Sequence, residues 1–376
     1  MNLNRKMKLG LLSVVAAFAL VGCDDSDSNS NSNDNSGNSN VNTGYKAQFL
    51  NKSAGDQVEE LMGGVIGIAD EVGNGKMGDP LGEDLASADT TLVESQFSWN
   101  STMDFYNNIA SIKHVWDGGL KDVVAAHDNA KATQITNDIA TALNSIIAIS
   151  DSNSDGKLTT SDLIANDGAK AFRNQISNAD GRTLITTATT KLATLQTDLE
   201  SLKTYLSSVT FTDADKTECS NVVNNVIVTG YNDLGVEAQK LSAALTKLKD
   251  APTAANVTAA RAQWRATREF WEAGEGHIFG PVDTLGVDPK VDSWPVDKVQ
   301  LDGALDGWDP ELSNIDGFPT TMKGFHAIEY LLFGDGSAPE SANNALNRLG
   351  DTKRAYLEAL GVSFAKDIKS LTDAWK

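Results

Sequence analysis

His326 and Glu329 stand three residues apart in "GFHAIEYLLFG", residues 324–334, among apolar neighbours. The chain has only four histidines. Residues three apart share one face of a helix. Pro319 before the run and Gly334 after it are ordinary helix start and stop signals. An imidazole beside a carboxylate suits zinc or iron. Two ligands do not make a site, and on spacing alone a helical His-x-x-Glu is more often a satisfied polar pair than a ligand set. The short-spaced protease patterns fail here. Ala327 stands where His-Glu-x-x-His needs its glutamate, and Tyr330 where His-x-x-Glu-His needs its second histidine. No Gly-x-Ser-x-Gly occurs, and Cys219 has no evident histidine partner in a helical stretch.

A second constellation lies in "DSNSDGKLTTSD", residues 151–162. Asp151, Asn153 and Asp155 supply oxygens at positions one, three and five of an EF-hand-like calcium loop. Gly156 permits the turn at six, the Lys157 carbonyl is the seventh-position ligand, and Asp162 closes the loop at twelve. Asp162 replaces the usual glutamate and is shorter, so bidentate ligation weakens. The competing reading is an acidic turn between helices.

These residues must be positioned by helices. Leu192, Leu195, Leu199, Leu202 and Leu206 step by three and four. So do Ile135, Ile139, Leu143 and Ile146, and Leu357, Leu360, Phe364, Ile368, Leu371 and Trp375. Each set is an apolar stripe on one helix face. Proline is scarce and no alternating strand pattern stands out. The expected fold is all-α: two antiparallel helical bundles packed against each other, residues 45–250 and 251–376. Residues 276–319 hold most of the prolines and read as one long functional loop.

The address is written at the front. Residues 1–22 have a basic start, Arg5, Lys6 and Lys8, and then an apolar run too short to span a membrane comfortably. Leu20-Val21-Gly22-Cys23 resembles a bacterial lipobox, which makes Cys23 the lipidated residue. Cys219 then has no partner for a disulfide. Residues 23–44 are low in complexity and predict a disordered tether. The formal charge is −20. An acidic chain without clustered Lys and Arg excludes nucleic acid as a natural partner and concentrates cations near its surface.

"KGFHAIEYLLFG" resembles the Gly-x-His-x-x-Glu motif of imelysin-like proteins, also catalogued as peptidase family M75. "WRATREFWEAGEGHIFGPVD", residues 264–283, and "VDSWPVD", residues 291–297, resemble that family's neighbouring segments. "GIADEVGNGKMGDPL" and "VESQFSWNSTMDFYNNIASIKHVWDG" resemble segments that normally follow the motif, so the halves are expected in swapped, circularly permuted order.

The resemblance implies His326, Glu329 and Glu275 as metal contacts, with iron or zinc as the ion. It implies Arg268 and Asp283 as ligand contacts. Arg268 and Glu275 are seven apart and can share a helix face, either for a ligand or as a buried pair. Asp283 and Asp297 are expected to be supporting partners or helix caps, and His277 a surface residue. The implied function is a lipid-anchored periplasmic component that captures iron, or an iron-bearing ligand, beside iron-uptake membrane partners. The alternative is an M75 metallopeptidase with Glu329 or Glu275 as general base. A third reading is a structural lipoprotein whose motif serves packing.

Overall fold

In the computed structural model, residues 44–309 and 314–376 are described. The expected signal segment, Cys23 and nearly all of the tether lie outside the described residues. The expected stripes do bury. Leu192, Leu195 and Leu199 are fully enclosed, as are Leu357, Ile368 and Leu371. Local chemistry starts the helices that carry them. Asp128 accepts from the amides of Ala130 and Lys131, Asn178 from Asp180 and Gly181, and Thr253 from Asn256.

The helices that matter below are α1 (Ala54–Asp70), α2 (Ser101–Val115), α3 (Asn129–Ser150), α4 (Ala179–Leu206), α5 (Val228–Asp250), α6 (Ala254–Glu272), α7 (Gly324–Phe333) and α8 (Asp351–Trp375). The regular structure among the described residues is all helical, with no strand among them. Helix α3 packs on α2 and α4, and α1 packs on the same two. Helix α5 packs on α6 and α8, while α7 lies against α6 and α8. Helix α6 also touches α2, which joins the two groups. A division at 250/251 is therefore not where the packing changes. Residues 228–250 belong with the later helices, because their apolar face is covered by α6 and α8. Contacts hold residues 43–376 as one unit. Among the described residues no helix is long and apolar enough to cross a membrane.

The Pro-rich stretch is not structureless. It contains short helices at Pro281–Leu285, Asp288–Val291 and Lys298–Asp306. Pro281 and Pro289 sit in first turns, where the missing amide hydrogen costs nothing. Asp297 caps the third helix by accepting from the Gln300 amide. Asp292, just after the second, points inward.

Two backbone details aim the site. Helix α1 widens into a π-type turn over Glu71–Lys76, and Lys76 leaves that turn for the interior. Gly324 opens α7 with φ of +73°, and a Cβ there would lie 2.3 Å from the Val291 carbonyl oxygen. Only glycine lets the motif helix come this close to the segment bearing Asp292.

Candidate metal centre between the helix groups

Helix α7 buries His326 and Glu329 completely. Glu329 Oε2 lies 3.1 Å from His326 Nδ1. Its other oxygen, Oε1, accepts from both the amide and the hydroxyl of Ser98, at 2.7 Å each. Glu329 is thus fully engaged on the Nδ1 side of the ring. A carboxylate in this position orients an imidazole and sets its basicity. The opposite nitrogen, Nε2, faces Asp292 Oδ1 at 3.0 Å and Glu94 Oε1 at 3.4 Å. Neither contact is aligned as a hydrogen bond, so this buried nitrogen has no hydrogen-bond partner. Glu94, Asp292 and His326 each offer one donor atom within 4.8 Å of the others. One imidazole with two carboxylates is a donor set that suits iron or zinc.

Arg268 lies beside this triad with no exposure. Its Nη2 meets Glu94 at 2.6 Å and its Nε meets Asp104 at 3.4 Å. It also pairs with Glu272 and Asp292. Its guanidinium sits 5.0 Å over the Phe325 ring. Trp271 donates to Asp292 Oδ2 at 2.7 Å, and the Trp294 ring meets the His326 ring edge-on at 4.8 Å. Lys76 reaches Glu275 at 2.8 Å, Glu94 at 3.3 Å and Glu272 at 3.5 Å. Asn108 donates to Glu275 at 2.8 Å and also to Glu272.

These distances sort the carboxylates. Burial works against ionisation everywhere, but Lys76 and Arg268 outweigh it at Glu94 and hold that group well below the usual range. Arg268 also outweighs burial at Asp292 and lowers that group. Burial wins at Glu272, pushed up to about 8, and at Asp104, pushed up to about 6. Burial and the Glu272 charge hold Glu275 well above its usual range. Burial and Arg268 would lower His326, yet the carboxylates of Asp292, Glu329 and Glu94 close around its ring hold it well above the usual value. The two carboxylates facing Nε2 are therefore pushed toward the ionised form, while burial pushes Glu272 and Glu275 toward the protonated one. An ion entering at Nε2 displaces a proton there.

The expected site residues divide accordingly. His326 and Arg268 sit at the centre. Glu329 holds the far side of the imidazole from Glu94 and Asp292. Glu275 is not paired with Arg268, because α6 ends at Glu272, and Glu275 turns toward Lys76 and Asn108 instead. Glu272, one turn after Arg268, takes its place. Asp283 is exposed and outside the network. His277 is buried, not on the surface, with Nδ1 3.2 Å from the Tyr231 hydroxyl. Burial drives it down to about 3.

Because the unfolded chain takes up this proton near pH 6.5 and the native state does not, stability is lost as pH falls from about 6.5 toward 3. A His277→Gln variant should show a shallower loss of Tm between pH 6 and 4. Equal slopes in the two proteins would refute the assignment.

Glu94, Asp104 and Asp292 carry no spacing signal in the sequence, whereas Glu272 stands four residues after Arg268. All four fall inside the stretches 93–118, 264–283 and 291–297 that resemble family segments.

The side chains of the Asp151 loop turn onto the loop's own backbone. Asp151 accepts from the amides of Ser154 at 2.7 Å and Gly156 at 2.9 Å, and Gly156 adopts φ of +74°. Asn153 and Asp155 accept from Asp155 and Lys157 amides, both at 2.9 Å. Asp162 already binds Ser152 and, in a capping box, Thr159.

An all-helical protein with a buried histidine–carboxylate–arginine centre is the class that fold and site define. The chain belongs to the imelysin family, peptidase M75, whose sequence model matches residues 28–199 and 227–376. It is 36% identical over 154 residues to iron-regulated protein A of Synechococcus elongatus. That match spans 41% of this chain and 38% of the relative, so the chain covers well under two thirds of that protein's length. The fold resembles the crystal structure of an imelysin peptidase from Bacteroides ovatus, with a TM-score of 0.66 and 28% identity, over 79% of this chain and 86% of that one.

Proposed function

We propose that this protein binds iron, or zinc in its stead, through His326, Glu94 and Asp292, and that it serves iron acquisition without catalysis. The observation that carries the reading is the unsatisfied His326 Nε2, fully buried and facing two ionised carboxylates. A buried polar atom normally finds a partner, and an exception asks for one. The similarity to a protein described as iron-regulated adds support. The enclosed site favours an ion-sized occupant over a polypeptide, which argues for binding over the alternative, M75 metallopeptidase activity. The test is equilibrium dialysis followed by elemental analysis of wild type and His326→Ala. Near-stoichiometric iron or zinc in the wild type, lost in the variant, supports the reading. No transition metal in either protein removes both the capture and the metallopeptidase readings.

The export signal and lipidated Cys23 remain part of the proposal: a periplasmic protein held to the membrane, close to iron-uptake partners. The Asp151 loop is proposed to bind calcium structurally. Calcium should raise the Tm of wild type and leave Asp151→Ala/Asp155→Ala unchanged. A wild-type Tm indifferent to calcium ends this proposal.

We also propose that the family's halves are in swapped order here. The family model matches in two stretches, and the ends of the fold meet. A Cβ on Gly44 would come within 2.2 Å of the Lys376 carbonyl carbon, and the Tyr45 and Trp375 rings lie 5.0 Å apart. Joining residue 376 to residue 44 through a short linker, and opening the chain in the exposed link 251–253, should give a folded protein with Tm within about 5 °C of wild type. An insoluble or unstructured product would count against it.

A further inference from the structure

The inward-facing cations of this protein are not treated alike. Arg268 and Lys76 each meet several carboxylates, and Arg261 and Arg348 share Glu340. Arg265, three residues before Arg268 on α6, is half-buried and bonds only to neutral oxygens. Its Nη1 donates to Asn100 Oδ1 at 2.6 Å and its Nη2 to the Ser98 carbonyl at 2.7 Å. Among the described residues it forms no ion pair. The acidic groups nearest in effect, Glu329 and Asp104, are committed elsewhere. Glu329 serves Ser98 and His326; Asp104 serves Asn100 and Arg268. Burial lowers the Arg265 guanidinium to about 10. A half-buried cation with no ion pair gains when an anion supplies the counter-charge.

Arg265 borders a cavity of about 440 Å³ that is also walled by Phe97, Trp99, Phe333, Arg261 and Ile164. That volume lies within the range of small-molecule sites. The walls are held in place. Trp99 donates from its indole to the Gly336 carbonyl at 2.9 Å. Arg261 is tied to the Leu332 carbonyl at 2.9 Å and the Glu340 carbonyl at 2.7 Å. Both arginines lie over the Phe333 ring, at 5.1 and 4.9 Å. Phe97, Trp99 and Phe333 make part of the wall apolar, the Glu340 carboxylate on that wall is held by Arg261 and Arg348, and the Arg265 guanidinium has no ion pair.

We propose that this cavity binds a small aromatic carboxylate, its acidic group set against Arg265 and its ring against Phe97, Trp99 and Phe333. A carboxylate matches the planar guanidinium and completes the missing ion pair. The site is separate from the metal centre, and the proposal stands whether or not His326 holds an ion. Ser98 connects the two: its carbonyl accepts from Arg265, while its amide and hydroxyl hold Glu329.

The test compares 2-naphthoate with its neutral isostere naphthalene-2-carboxamide by calorimetric titration. Wild type should bind the carboxylate about tenfold or more tightly than the amide. Arg265→Gln should bring the two affinities together. Because that variant also alters contacts to Asn100 and Ser98, Ile164→Trp provides an independent check. Ile164 is an exposed wall of the cavity, and the larger ring should block naphthoate while leaving the fold intact. Absence of naphthoate binding, equal affinity for the amide in wild type, or undiminished binding by Ile164→Trp would each overturn the proposal.

Discussion

Replacing Arg268 with methionine is expected to cost about 3–5 kcal/mol, because it strips the counter-charge from buried carboxylates. At the size of this protein that corresponds to a Tm lower by roughly 10 °C. The argument is one of desolvation. Arg268 is fully enclosed and bonded to Glu94, Asp104, Glu272 and Asp292, which come from three separate parts of the chain. Methionine replaces the packing volume but not the charge. Lysine at the same place keeps the charge as a point and cannot fork to four partners, so its Tm should lie between the two. A double change, Arg268→Met with Glu272→Gln, should lose less than the sum of the single changes, since the two share one interaction. Thermal unfolding followed by circular dichroism checks this. A methionine variant within about 2 °C of wild type would mean that the network does not hold the helix groups together.

The second large effect concerns which residues hold the ion. Glu94→Gln, Asp292→Asn and His326→Gln should each abolish stoichiometric iron or zinc. Glu329→Gln should weaken affinity about 10–100-fold, the usual consequence of losing the partner that orients a ligating histidine. Glu275→Gln should change it by less than about threefold, because Glu275 is bonded to Lys76 and Asn108 and burial pushes it toward the protonated form. Competition against a chelator of known affinity gives these numbers directly. The order separates the set expected from the motif, His326, Glu329 and Glu275, from the set that geometry brings together. If Glu275→Gln abolishes binding and Glu94→Gln does not, the ion lies nearer Lys76 and the present assignment fails. Each variant should first be shown to keep its Tm, since Glu94 and Asp292 also neutralise Arg268.

Much of the fold is legible in the spacing of apolar residues alone. The stripes over residues 192–206 and 357–375 repeat at helical spacing, and a stripe that wide must be covered by another helix. The motif helix is marked by its glycine, histidine and glutamate and by the closing Gly334. What the stripes do not reveal is which helix covers which. Residues 228–250 read as the end of the first bundle, yet their apolar face packs on α6 and α8. Periodicity gives a helix its buried face but not its neighbour.

The site divides in the same way. By itself the sequence determined that His326 and Glu329 would share a helix face, that Arg268 would ride on a helix nearby in the chain, and that the protein would be acidic and helical. Tertiary structure alone decided that Glu94, from the segment before α2, and Asp292, from the Pro-rich stretch, would close on His326 Nε2. It also decided that Glu275 would turn away to Lys76. A helix places its own side chains at fixed angles, so i and i+3 neighbours follow from spacing. Groups far apart in the chain meet only through packing, and their charges shift only once water has been excluded around them.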